Sequence, residues 1–276
     1  MCFSIVGLYT VMNLKKPFNF IKNLPNKLNR HYNKISKKNL IIKNKSKRKK
    51  IFNPVTNYDK SFERFIRSSI TKVFPKDAIL GEEFKYKNSQ NEYEWSVDPI
   101  DGTKLFVLGV PTWSNLVGLM YKKKSIIGLA NFPGLNRYYL NDKIKTYLYK
   151  DKKKYVLKSS FNHNLKDLKI IGNFHGKIND KIKNTIINRL RGSFKQISFD
   201  ALNYCLLAEG RVDAVIETNL KPYDIIPMVP IVKNAGGWIS NWNNDNAELG
   251  GNILATSNKK LHEKMLKILK PFLKIL

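Results

Sequence analysis

The clearest periodicity in the chain lies between Asp59 and Phe74. Phe62, Phe65, Ile66, Ile70 and Val73 recur there at helical spacing, which lines one face of an amphipathic helix with apolar side chains. Pro75 stops it. Further on, short β-rich runs follow one another. Trp95–Asp98, Asn115–Tyr121 and Ile126–Asn131 read as strands, and Arg137–Leu140 and Thr146–Tyr149 as further antiparallel ones. The Lys-rich segment at 150–158 reads as a subdomain boundary. Beyond it strands and helices mix: a strand at Lys169–Ile171, helices at Ile178–Leu190 and Asp200–Ala208, and a strand at Val212–Ile216. A helix opens at Asp224 and closes at Gly236-Gly237, a strand follows at Ile253–Thr256, and a helix at Asn258–Leu269. The expectation is a basic N-terminal region (1–50), an α+β subdomain (51–158) and an α/β subdomain (159–276), joined as packed layers.

Composition changes this picture little. The formal charge is +29, yet eight of the 50 basic residues are Arg, and Asn, Ile, Tyr and Phe are abundant. That bias suits an AT-rich coding sequence better than a dedicated nucleic-acid surface. Cys2 and Cys205 make no disulfide framework, and His31, His163, His175 and His262 never pair at metal-ligand spacing. A reduced, cytoplasmic setting is expected. No apolar run approaches the ~20 residues of a membrane span. The first 58 residues hold fourteen Lys or Arg and no acid. An organelle transit peptide is compatible with that, but the preference for Lys over Arg and Ser favours a helix followed by a basic loop at 36–50.

The placement of the scarce acids is more informative. Of 21, six fall within residues 82–101 and five within 200–224. In the first window an apolar approach ends in Asp98-Pro99-Ile100-Asp101-Gly102-Thr103. Pro99 stiffens the turn, so both carboxylates and the Ile100 carbonyl can converge on a hard, oxygen-seeking cation. Gly102 and Thr103 N–H groups can receive an anion beside it. Ala78-Ile79-Leu80 runs similarly into Gly81-Glu82-Glu83. Plain turn and N-cap roles remain open for Asp98, Asp101, Asp200 and Asp224, each taken singly.

Four ordered segments together resemble the inositol monophosphatase superfamily of Mg2+-dependent, lithium-sensitive phosphatases. They are Val55-Thr56-Asn57-Tyr58-Asp59, Leu80-Gly81-Glu82-Glu83-Phe84, Trp95 to Thr103 with Phe106, and Pro222-Tyr223-Asp224 with Ala235-Gly236-Gly237. The run from Asp200 to Asp213, continued by Glu217 and Leu220 to Asp224, looks most like the histidinol-phosphatase branch. Leu202, Pro227 and the Lys- and Tyr-rich stretch at 139–153 depart from the pattern, and the family's first helix is barely recognisable within residues 1–35.

The resemblance implies an αβαβα sandwich with two to three Mg2+ ions. Glu82, Asp98 and the Ile100 carbonyl would hold one, and Asp98, Asp101 and Asp224 a second. Thr103 and Glu82 would orient the attacking water, Asp59 would hold Thr103, and Gly102 and Thr103 would bind the phosphoryl oxygens. Asp200 and Glu217 are the candidates to meet the alcohol half. The implied substrate is a small phosphomonoester, L-histidinol phosphate first and inositol 1-phosphate as the alternative, with a homodimer as the implied assembly. A reading of another class is an inactive homologue acting as a basic binding protein; the intact carboxylate set speaks against it.

Overall fold

The computed structural model describes residues 14–46, 52–176, 179–190, 194–195 and 197–273. Cys2, the apolar stretch at 1–12 and the expected helix start at Ile178 lie outside these residues.

Two helices, α1 (Lys15–Lys22) and α2 (Leu24–Ile35), open the fold. Within the basic stretch expected as loop, β1 (Ile42–Asn44) pairs antiparallel with β2 (Pro54–Thr56). The long helix α3 spans Asn57–Val73, starting two residues before the expected Asp59. A capping box sets that start. The Thr56 hydroxyl accepts from Tyr58 and Asp59 N–H, while Asp59 Oδ2 accepts from Thr56 N at 2.7 Å. Each thereby satisfies a first-turn donor that has no partner inside the helix.

A seven-stranded sheet follows, with strand order β3-β4-β5-β6-β7-β8-β9. Its strands are β3 (Ala78–Gly81), β4 (Tyr93–Asp101), β5 (Ser114–Tyr121), β6 (Lys124–Phe132), β7 (Arg137–Asn141), β8 (Thr146–Lys150) and β9 (Lys153–Val156). The short helix α4 (Thr103–Val107) leaves the end of β4. The segment expected as a boundary thus contributes an edge strand, β9. A two-residue turn connects it to β8, with Asp151 and Lys152 both at positive φ (52° and 61°).

The second sheet has the order β11-β10-β12-β14-β13. Its elements in chain order are β10 (Ile170–Phe174), α5 (Asp180–Arg189), β11 (Phe194–Lys195), α6 (Ala201–Ala208), β12 (Ala214–Leu220), α7 (Pro222–Ile225), α8 (Met228–Asn234), β13 (Trp238–Asn241), β14 (Gly251–Thr256) and α9 (Lys259–Leu269). The helix expected from Asp224 to Gly236 is two pieces, α7 and α8, broken at Ile226-Pro227. The break sits against the first sheet. A Cβ added at Gly128 on β6 would overlap the Pro227 carbonyl, and one at Gly118 on β5 would press on Ile226 and Pro227. Glycine at both positions lets this backbone approach the sheet directly.

Period-2 alternation sorts side chains into three apolar clusters. Val117 faces Phe62, Ile66, Leu24 and Leu28, whereas neighbouring Leu116 faces α6 and α8. Val215 and Ile253 share that middle cluster, while Ala214, Ile216 and Leu254 pack on α5 and α9. The layers therefore run α1–α3, first sheet, α6–α8, second sheet, α5 with α9. This is the αβαβα sandwich. No helix among the described residues is long and apolar enough to cross a membrane.

Candidate metal and phosphate site

The ends of β4 and β12 and the starts of α4, α6 and α7 converge on one cavity of about 270 Å3. Glu82, Asp98, Ile100, Asp101, Gly102, Thr103, Asp200, Glu217 and Asp224 all line it. Of the candidate residues only Asp59 stands behind the wall. Its Oδ1 accepts from the Thr103 hydroxyl at 3.3 Å, and that hydroxyl also reaches the Ile100 carbonyl at 2.9 Å.

Ligand oxygens of Asp98, Asp101 and Asp224 lie within 4.8 Å of one another. Local structure fixes each. Asp98 Oδ1 accepts from Ile100 N at 3.1 Å, closing an Asx turn across Pro99. Asp101 Oδ2 accepts from Ala201 N at 2.8 Å, which anchors the first turn of α6 to the first sheet. Asp224 Oδ2 accepts from Lys221 N at 2.7 Å at the start of α7. At Gly102 the chain turns through φ 78° into α4, a left-handed conformation that costs glycine little. Neither the Gly102 nor the Thr103 N–H finds a protein acceptor among the described residues.

The electrostatics are strained. Burial first, then the charges of Glu82, Asp101 and Asp224, push the Asp98 carboxyl well above its ordinary range. Burial and Asp200 do the same at Asp101, opposed in part by the Ala201 N–H. Asp224 is pushed up to about 7, chiefly by burial. Buried carboxylates this close cannot all ionise without a compensating cation. A hard divalent cation with an all-oxygen donor set meets that need, so the residues fit the group that the sequence implied.

Glu82 stands in the same cavity but outside the tight cluster, and its carboxylate accepts from Lys45 Nζ at 2.9 Å. Lys45 also pairs with Glu83. Burial works against the charge on Lys45, yet Glu82 and Glu83 outweigh it and hold the ammonium above its ordinary value. Behind them the buried Glu63 accepts from Glu83 N at 2.6 Å and from Arg67 Nε at 2.6 Å, fixing the Gly81-Glu82-Glu83 loop. Lys45, Glu63 and Arg67 were not anticipated. Lys45 follows β1, far from Glu82 in the chain, and only the spacing of four between Glu63 and Arg67 on α3 hints at a pair.

Asp200 occupies the N-cap position of α6 at φ 48°, but its side chain makes no capping bond. The capping reading of Asp200 is replaced by Asp101, which receives the Ala201 N–H instead. The Asp200 carboxylate accepts from Ser198 Oγ at 3.2 Å and lies over Gly102, where an added Cβ would fall 2.7 Å from its Oδ2. Glu217, 1% exposed, accepts from Asn203 Nδ2 at 2.8 Å and from the Tyr204 hydroxyl at 3.0 Å. Burial, then Asp200, raises Glu217 to about 8. His175, beyond the end of β10, also lines the cavity, and its charge favours ionisation of Asp200. Nothing in its sequence surroundings marked it.

An αβαβα sandwich with a carboxylate-walled, cation-ready cavity at the strand ends defines a class of phosphate-ester enzymes. The profile of the inositol monophosphatase family matches residues 21–272. The chain belongs to the inositol monophosphatase family of phosphatases. It is 32% identical over 237 residues to the bifunctional phosphatase IMPL2, chloroplastic, of Arabidopsis thaliana, covering 78% of this chain and 65% of that one, just under two thirds of its length. It is 29% identical over 254 residues to a fructose-1,6-bisphosphatase/inositol-1-monophosphatase of Aquifex aeolicus, covering 90% and 91%. A histidinol-phosphatase of Mycobacterium tuberculosis is 29% identical over 224 residues, covering 77% and 83%. Among solved structures, an inositol monophosphatase from Zymomonas mobilis shares the fold with a TM-score of 0.75 at 23% identity, covering 94% and 99%.

Proposed function

We propose that this chain is a Mg2+-dependent phosphomonoesterase and that L-histidinol phosphate is its substrate. The observation that carries the reading is the convergence of Asp98, Asp101 and Asp224 oxygens within 4.8 Å in a buried cavity. Those three, with Glu82 and the Ile100 carbonyl, are the residues to hold two to three ions. When bound, Mg2+ supplies a water of lowered pKa and neutralises charge on the phosphoryl and leaving oxygens. The Thr103 hydroxyl, held between Asp59 and the Ile100 carbonyl, orients the attacking water together with Glu82. The Gly102 and Thr103 N–H groups receive the phosphoryl oxygens and stabilise the charge that builds there.

Three relatives with 26–30% identity bear the name histidinol-phosphatase, which supports the choice of alcohol. Histidinol carries an ammonium and an imidazole; the Asp200 carboxylate on the cavity wall suits the cation, and Glu217, raised to about 8, meets the alcohol half by hydrogen bonding. The name of the Aquifex aeolicus relative favours inositol 1-phosphate as the second reading. Phosphate release from both esters, with and without Mg2+ and with Li+ added, tests the proposal. Expected are an absolute need for Mg2+, inhibition by Li+ and a higher kcat/KM on L-histidinol phosphate. A preference for inositol 1-phosphate overturns the substrate, and Mg2+-independent release overturns the chemistry. The homodimer and cytoplasmic setting belong to the same reading, and sedimentation of the purified chain tests the first.

A further inference from the structure

A cavity of about 710 Å3 opens at the β13 edge of the second sheet and shares no lining residue with the catalytic one. The β7–β8 turn supplies Lys143 and Ile144, and the C-terminal end of α8 supplies Lys233 and Asn234. Asn244, Asp245 and Asn246, from the turn after β13, close it. The volume is that of a small-ligand site.

Lys233 is the unusual member. It sits in the last turn of α8, partly buried, and its ammonium makes no hydrogen bond or ion pair among the described residues. A lysine in a last turn suits the helix dipole, but its ammonium ordinarily stands out in water. The charged groups around it come from three other elements. Lys124, at the start of β6, donates to Asn246 Oδ1 at 2.8 Å. Lys143 and Asp245 line the cavity. Glu248, in the single turn Ala247–Leu249, accepts from Ser125 N at 3.2 Å through Oε1, while its Oε2 is buried with no partner among the described residues. Glu248 therefore attracts the ammonium without hydrogen-bonding it. Burial, opposed by Glu248 and assisted by Lys124, lowers the Lys233 ammonium below its ordinary value.

A lysine that has lost its proton is a nucleophile and the usual target of acyl groups. Lys143 and Lys124, the latter held by the lining residue Asn246, outweigh Asp245 around the cavity, which draws in an anionic donor. We propose that Lys233 is a modification site whose amine accepts the acyl group of a small acyl phosphate. The neutral Nζ attacks the carbonyl carbon and an N–C bond forms. The C–O bond to phosphate breaks, and phosphate departs with the bonding electron pair. The proton displaced from nitrogen passes to water. The product amide carries no charge, so Glu248 loses the cation it faces.

Trace acetyl phosphate and, in parallel, trace acetic anhydride are the probes, each added to the full chain at pH 8. Metal-depleted buffer keeps Mg2+-dependent hydrolysis from consuming the first. Peptide mapping by mass spectrometry gives the acetylation rate at each lysine. Lys233 should react with acetyl phosphate at least about fivefold faster than the median lysine, and should lead by less with the neutral anhydride. K143Q should slow acetyl phosphate at Lys233 at least twofold and leave the anhydride rate unchanged. In 8 M urea both leads should vanish, because they belong to the fold. A Lys233 no faster than the median with either probe overturns the modification site, as does a lead that persists in urea. A lead with the anhydride alone, or one with acetyl phosphate that K143Q leaves untouched, overturns the anionic donor.

Discussion

Glu217 offers the most direct test of the electrostatics. It is 1% exposed, and Asn203 and Tyr204 occupy its two oxygens, yet burial raises it from 4.5 to about 8. An acid raised on folding binds its proton more tightly in the native state. Its contribution is therefore fully present below pH 4.5 and is lost as pH rises through about 8. Each pH unit in that interval costs about 1.4 kcal/mol, or about 5 kcal/mol in all as an order of magnitude. Glu217→Gln keeps the shape and removes the titration. It also turns an amide N–H toward the Asn203 or Tyr204 donor, which costs about 1–3 kcal/mol. In metal-depleted buffer the variant should therefore be less stable than the native chain at pH 5, and more stable at pH 8 by about 2–4 kcal/mol. Urea unfolding at four pH values measures both, and the slope of stability against pH should flatten by up to about 1.4 kcal/mol per unit. An unchanged slope would mean that Glu217 ionises in the fold without penalty, and the burial argument would fail.

Three further outcomes follow from the geometry. Asp98→Asn should reduce phosphate release by about 10^3-fold while raising the metal-free melting temperature, since one repelled buried charge is gone; a fall in both would point to a purely structural Asp98. Gly128→Ala should cost about 3 kcal/mol, because the added methyl meets the Pro227 backbone, and Gly118→Ala less, because its nearest neighbours are Ser96 and Ile226 side chains. Urea midpoints rank the two, and a smaller loss at Gly128 would sink the argument. Mg2+ at a hundred times its dissociation constant should stabilise the native chain by about 2.7 kcal/mol, and Asp224→Asn should lose most of that gain in the same thermal-melt titration.

The catalytic wall was legible because its residues sit in short contiguous turns. Asp98 to Thr103 states its chemistry within six positions, and Pro99 and Gly102 state its geometry. Lys45 and His175 were not legible, since Lys45 meets Glu82 and His175 meets the cavity wall from other elements with no local signature. Strand β9 was hidden for a different reason. Its hairpin turn uses Asp151-Lys152 at positive φ, where Asn-Gly is the usual signal, so a Lys-rich strand read as a boundary. The Lys122-Lys123 turn between β5 and β6 has the same character. The break at Pro227 was visible as an oddity in the sequence, but its reason, the two glycines on β5 and β6, lies about a hundred residues upstream. Asp200 takes the N-cap position that its spacing offered and lines the cavity, but the carboxylate that holds the first turn is Asp101, from a distant strand that local spacing cannot reveal.

The seat of Ile226-Pro227 on Gly118 and Gly128 bears on the order of events during folding. Asp224 lies just ahead of that seat, and its partners Asp98 and Asp101 belong to a strand more than 120 residues earlier. Closing so long a loop is slow, and its entropy must be met before the contacts it enables form. A cation that needs all three carboxylates can then bind only after closure, too late to hasten folding. Its effect should fall on the rate of escape from the native state, making the loaded protein kinetically durable while its refolding rate stays that of the bare chain.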